Sequence, residues 1–120
     1  MKTFKSTINN KSASFRSNKE SMMELVDKLN SFLKISNIQG NEIALKRAKE
    51  RGKSLTREKL TKLLDKNSPF IELMPLAGLK HENGFGPGGT TIAGIGFVHK
   101  KLCVINANIG TKKGGVVDYA

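Results

Sequence analysis

Residues 17–33 carry apolar side chains at helical intervals, with Met22, Leu25, Val26, Leu29, Phe32 and Leu33 on one face. Ahead of them, Ser17 and Glu20 stand at the S-x-x-E spacing of a capping box. In that motif each side chain satisfies a backbone N–H near the other, so the pattern predicts a helix opening at Ser17. The rhythm breaks from Ser36 to Gly40. Asn41 is placed to cap a second helix running to Arg51, with Gly52 just past its end. Its apolar stripe (Ile43, Ala44, Ala48) is thin and its outer face is basic. Thr56 can cap a third, short helix carrying Leu60, Leu63 and Leu64. Asn67-Ser68-Pro69 stops it, because proline has no N–H to donate and disfavours helix in the residue before it.

After Pro69 the period changes. Phe70 to Leu73 is short and strand-like. Met74 to Gly89 holds five glycines and two prolines, too irregular for a regular element. Thr90 to Val98 and Leu102 to Ala107 are rich in β-branched residues, and His99-Lys100-Lys101 between them predicts an antiparallel hairpin. Gly110-Thr111-Lys112-Lys113-Gly114-Gly115 follows. Helices followed by a hairpin predict an α/β chain. The order leaves a sheet edge with nothing to cover it, which natural proteins avoid, so the sequence reads as part of a longer one.

A length of 120 residues bounds the chain to one small domain. No apolar run approaches the roughly 20 residues that a membrane helix needs. The first 17 residues hold Lys2, Lys5, Lys11 and Arg16 and no acid, compatible with a mitochondrial transit peptide or with an ordinary terminus. The single Cys103 lies in an apolar strand-like run and reads as a buried, unreactive thiol; one cysteine makes neither an internal disulfide nor a zinc-ligand spacing. His81 and His99 have no ligand-spaced partners and read as surface loop residues, so no metal site is expected.

The net charge of +11 changes the picture only when divided along the chain. Residues 1–66 carry 16 Lys and Arg against 7 Asp and Glu; residues 67–120 carry 5 against 3. The excess sits on the helical half, where it forms a solvated face or attracts a polyanion. A small basic nucleic-acid-binding protein is one reading. Against it, the chain has one Tyr, no Trp and no aromatics interleaved with basic residues on the strands, hence no base-stacking platform. Gly84-Phe85-Gly86-Pro87-Gly88-Gly89 has neither a strand before it nor a helix after it, and reads as a tight turn rather than a dinucleotide fingerprint.

Two stretches carry a resemblance. The first runs Arg47-Ala48-Lys49-Glu50-Arg51-Gly52-Lys53, Thr56-Arg57-Glu58-Lys59-Leu60, Leu63-Leu64-Asp65 and Ser68-Pro69-Phe70-Ile71-Glu72-Leu73. The second holds Gly88-Gly89, Gly94-Ile95-Gly96, Cys103-Val104-Ile105, Ala107-Asn108 and Lys113-Gly114-Gly115. In order and spacing they resemble the opening of the β (carboxyltransferase) subunits of biotin-dependent acyl-CoA carboxylases. Ile8-Asn9, Ser12, Phe15, Asn18, Met22 and Leu25-Val26 are most similar to methylcrotonyl-CoA carboxylase β subunits of bacterial type, which makes residues 1–17 part of the mature protein. Ile109 stands where the family has an acidic residue and Lys112 where it commonly has valine. The tail Val116-Val117-Asp118-Tyr119 lacks the usual aromatic-aromatic-proline ending, so the acyl substrate stays open. The absence of four cysteines argues against the zinc-ribbon acetyl-CoA carboxylase β subunit.

The resemblance implies a crotonase-like fold. Residues 1–40 would be a helical extension and 41–120 the start, truncated, of the N-terminal carboxyltransferase subdomain. It implies transfer of carboxylate from carboxybiotin to an acyl-CoA, 3-methylcrotonyl-CoA in leucine degradation. Biotin would be carried by a biotin carboxylase/biotin-carrier α subunit, in a β-subunit homo-oligomer in the bacterial cytoplasm or the mitochondrial matrix. The oxyanion donors of such chemistry lie in segments outside this chain, so no catalytic residue is named and the chain alone is expected to be inactive. A truncated, non-catalytic interaction module is the alternative. CoA phosphates are expected at Asn108, Lys112, Lys113, Gly114 and Gly115, where lysines supply charge and glycines let backbone N–H groups approach; a solvated turn is the other reading. Arg51 and Lys53 read as a helix end or as a further CoA-phosphate contact.

Overall fold

The computed structural model describes residues 3, 5–80 and 86–116. His81, Gly84-Phe85 of the glycine run and Val117-Asp118-Tyr119 of the tail lie outside the described residues. Two compact units divide the chain, residues 1–31 and 32–120. No described helix is long and apolar enough to cross a membrane.

Helix α1, Ala13–Ser36, opens earlier than the capping-box spacing predicts. Ser12 is the cap: its Oγ accepts the Phe15 N–H at 3.1 Å, leaving Ser17 inside the helix. In the first unit Met22, Leu25, Val26 and Leu29 of its apolar face are exposed.

In the second unit, α2 (Glu42–Glu50) has the termini its sequence dictates. Asn41 Oδ1 accepts the Ala44 N–H at 2.8 Å. At the other end Gly52 N–H donates to Lys49 O and Lys53 N–H to Ala48 O, a Schellman closure with Gly52 at φ 63°. Ala48 is buried, whereas Ile43 of the expected stripe faces solvent.

Helix α3 (Thr56–Leu63) departs from expectation at both ends. Leu55, not Thr56, is the cap residue. A leucine side chain accepts nothing, so Glu58 Oε2 supplies the one reciprocal bond, accepting the Leu55 N–H at 2.9 Å. The Thr56 hydroxyl donates instead to Asn108 O, 52 residues away, at 3.0 Å. The helix closes before Asn67-Ser68-Pro69 because Leu64 turns extended and Asp65 leaves to serve the hairpin.

Strands β1 (Phe70–Leu73), β2 (Thr91–Val98) and β3 (Lys101–Asn108) form one antiparallel sheet in that order, with Phe70 opposite Gly96 and Gly94 opposite Ile105. The expected hairpin is present, and β1 covers part of the free edge of β2. Along β2, Ile92, Gly94 and Gly96 point inward; from β3, Cys103, Ile105 and Ala107 meet them. Leu60, Ile92, Ile105 and Ile109 are the buried centre, flanked by Leu64, Phe70, Val98, Cys103 and Ala107. Cys103 is half-buried rather than enclosed. Gly94 is glycine for reasons of space. A Cβ there would overlap the Phe70 ring and stand 2.8 Å from Ile71 O. On the opposite face Ile71, Leu102 and Val104 are exposed, at 61%, 66% and 79%.

Candidate functional site

Where α2 ends, α3 begins and β3 runs out, the chain encloses a cleft of about 450 Å³. Arg47 and Arg51, one turn apart on α2, line it together with Lys53 from the Schellman turn and Lys59 from α3. Asn108, Gly110, Thr111 and Gly114 form the facing wall, and among the described residues no carboxylate lines it. Four like charges converge here because the end of α2 closes on itself and the start of α3 is tied to the strand. Gly52 and Lys53 fold back onto α2, and the Thr56–Asn108 bond draws the start of α3 against the end of β3. Such a set, repelling itself in the empty state, is relieved by an anion. A larger hollow of about 650 Å³ shares Lys53 but includes Glu58, whose carboxylate weakens it as an anion seat.

The expected site residues separate into distinct roles. Arg51, Lys53, Asn108 and Gly114 meet in the cleft. The Asn108 side chain is occupied structurally: Nδ2 donates to Gly115 O at 2.8 Å, and Oδ1 accepts from the Thr91 hydroxyl at 3.4 Å. It holds the turn to the sheet. Lys113, Gly114 and Gly115 form a single 3-10 turn in consecutive left-handed conformations, φ 45°, 68° and 86°. Lys113 is exposed, lining a neighbouring hollow.

Lys112 does not reach the cleft. It is buried at 7% exposure, with Nζ donating to Gly89 O at 2.9 Å. Burial, and secondarily the Arg57 charge, hold its pKa below the usual lysine value of 10.5. Here the lysine ties the glycine-rich segment to the 109–115 loop.

Arg57 fixes the other side of this region. Its guanidinium meets Glu72 of β1 in a bidentate pair, at 2.7 and 2.8 Å, while its backbone N–H donates to Gln39 Oε1 at 2.9 Å. The Gln39 carbonyl in turn accepts the Thr111 hydroxyl. Linker 37–40, α3, β1 and the 109–115 loop are thereby held as one frame. Sequence reasoning missed Arg47 and Lys59 as site residues. The i, i+4 spacing of Arg47 and Arg51 was a signal; Lys59 carried none that is local. Among the described residues no group of three or more His, Cys, Asp or Glu could hold a metal ion.

No family model matches the chain. The biotin-dependent 3-methylcrotonyl-coenzyme A carboxylase β1 subunit of Mycobacterium tuberculosis is 48% identical over 91 residues, covering 76% of this chain and 17% of that subunit. The mitochondrial methylcrotonoyl-CoA carboxylase β chain of Arabidopsis thaliana is 39% identical over 108 residues, covering 90% and 18%. Among solved structures, the β subunit of P. aeruginosa geranyl-CoA carboxylase superposes with a TM-score of 0.79 at 30% identity, covering 95% of this chain and 21% of that one. The transcarboxylase 12S hexamer, solved with methylmalonyl-coenzyme A, shares the fold at a TM-score of 0.67 and 22% identity, covering 78% and 19%. These neighbours are carboxyltransferase subunits of crotonase-like fold. The chain spans about a fifth of the length of the relatives it matches. Over that span, the chain belongs to the β subunits of the biotin-dependent acyl-CoA carboxylases.

Proposed function

We propose that this chain supplies the coenzyme-A-phosphate seat of a carboxyltransferase that moves carboxylate from carboxybiotin to an acyl-CoA, 3-methylcrotonyl-CoA being the substrate that its relatives' names favour. The observation that carries this is the cleft of Arg47, Arg51, Lys53 and Lys59, open to solvent and lined by no carboxylate among the described residues. Coenzyme A brings a diphosphate and a 3′-phosphate, and clustered guanidinium and ammonium groups bind such oxygens with charge-assisted hydrogen bonds. Lys113 is exposed on the adjacent turn and lines the neighbouring hollow. Residues 1–40 form a helical extension ahead of this portion.

The cleft binds and orients; it does not react. Biotin offers a neutral urea and an apolar ring system, and a cationic cleft is a poor match for it, so no step through biotin is assigned to these residues. A biotin-bearing partner subunit presents the activated carboxyl group, in an assembly of several β subunits within the cytoplasm or the mitochondrial matrix. The oxyanion donors for the acyl enolate lie in other segments, and this chain by itself carries no transferase activity.

In the assembled enzyme, Arg51→Gln is expected to raise the KM for acyl-CoA and leave kcat nearly unchanged. A phosphate remote from the reacting carbon is held equally in ground and transition states. A fall in kcat at constant KM would remove the reading.

A further inference from the structure

Two walls of the basic cleft face each other, one at the start of α3 and one at the end of β3 and the loop after it. Two hydrogen-bonded ties cross between them. One is direct, from the Thr56 hydroxyl to Asn108 O. The other runs through Gln39, a linker residue that does not itself line the cleft. Gln39 Oε1 accepts the Arg57 N–H at 2.9 Å, and Gln39 O accepts the Thr111 hydroxyl.

Each half of this second tie has a physical reason. Arg57 is the second residue of α3, where the N–H has no partner inside the helix and a cap side chain ordinarily accepts it. The cap residue is Leu55, which has no acceptor. Gln39 therefore supplies, from 18 positions away, the oxygen that a serine or aspartate would have given locally. A glutamine in a linker is ordinarily solvated, whereas this one is only 8% exposed. On the loop side there is no slack. A Cβ at Gly40 would stand 2.9 Å from Thr111 O, so the linker lies directly on the loop. On the helix side, the bidentate Arg57–Glu72 pair holds α3 to β1.

We infer that Gln39 is a positioning residue for anion binding. It sets the separation of the α3 wall from the Gly110–Thr111–Gly114 wall, and with it the affinity of the cleft for phosphates that Gln39 never touches. The inference rests on the phosphate reading of the cleft. With only the Thr56–Asn108 bond left, the walls pivot about a single point. Charge-assisted contacts depend on distance and angle, so a ligand that bridges the walls loses them when the walls part.

The test measures KM and kcat for acyl-CoA, and melting temperature, in the assembled enzyme. Gln39→Met keeps the side-chain volume and removes the acceptor; it is expected to raise KM about fivefold with kcat unchanged. Gln39→Glu keeps the acceptor and should return KM toward the wild-type value. Thr111→Val should raise KM as well, and the double variant Gln39→Met, Thr111→Val no further than the larger single effect, because both cut one tie. Asp65→Ala loosens the far end of the sheet, where its carboxylate holds the hairpin, and should lower the melting temperature at wild-type KM. A wild-type KM in Gln39→Met, no recovery in Gln39→Glu, additive effects in the double variant, or an equal rise in Asp65→Ala overturns the positioning role while the phosphate cleft stands. If Arg51→Gln leaves KM unchanged, the cleft reading fails and this inference fails with it.

Discussion

Asp65 and Lys100, 35 residues apart, are joined by a 2.6 Å hydrogen bond in which carboxylate Oδ2 accepts the Lys100 backbone N–H. Oδ1 accepts the neighbouring His99 N–H at 2.8 Å, and the Asp65 N–H donates to Phe97 O. His99 and Lys100 are both left-handed, φ 49° and 63°, as a two-residue type I′ hairpin turn requires. Neither is the asparagine or glycine that usually accepts this conformation. The turn is held from outside, by a carboxylate sent from the end of α3.

Removing that carboxylate should therefore loosen the hairpin. Asp65→Ala is expected to cost about 1–3 kcal/mol, since two amides lose a charged acceptor. Asp65→Asn, which keeps one acceptor oxygen, should fall between. Urea denaturation midpoints at constant m-value measure both, and an unchanged midpoint for Asp65→Ala would show that the turn stands without the carboxylate.

Gly94→Ala tests the packing of Phe70 on the sheet. The methyl group would overlap the Phe70 ring and crowd Ile71 O, an overpacking worth about 1–3 kcal/mol. Phe70→Leu in the same chain should recover part of the loss, because the smaller side chain vacates the contact. Additive destabilisation in the double variant would mean that the two do not meet.

Lys112 gives a pH dependence of defined sign. Its pKa is lowered in the folded state by burial and by the Arg57 charge, so between that value and 10.5 the unfolded chain binds more protons than the folded one. Stability from this group therefore rises as pH rises through that window. Relative to Lys112→Met, the wild type should gain melting temperature as the pH is raised toward 10.5. Lys113→Ala, on the exposed turn, should instead weaken coenzyme A binding. A gap between wild type and Lys112→Met that stays constant with pH would contradict the buried-ammonium account.

What the sequence disclosed was local chemistry. Asn41 and Gly52 fix the ends of α2 through atoms within a few residues, and both behave as their types dictate. Ser17-x-x-Glu20 has the right spacing, but Ser12 starts the helix five residues sooner, and the motif alone does not choose between two serines. Thr56 was read as a local helix cap, and Asp65 only as part of the family motif; each is spent on a partner more than thirty positions away. The same limit applies to the site. Arg51, Lys53, Asn108 and Gly114 were named from family resemblance and loop chemistry, and they line one cleft. That Lys112 faces inward, and that Arg47 and Lys59 complete the basic wall, depends on how α2, α3 and β3 come together.

The central claim is that the Arg47–Arg51–Lys53–Lys59 cleft binds the phosphates of coenzyme A. The most direct measurement is calorimetric titration of the chain with CoA and with dephospho-CoA at two ionic strengths, for the wild type and for the paired variant Arg51→Gln, Lys53→Gln. The account predicts that CoA binds more tightly than dephospho-CoA and that the affinity falls as salt is raised. The paired variant should lose about 1–3 kcal/mol, roughly five- to 150-fold in affinity, without a change in melting temperature. Binding that is indifferent to salt and to both substitutions would contradict it.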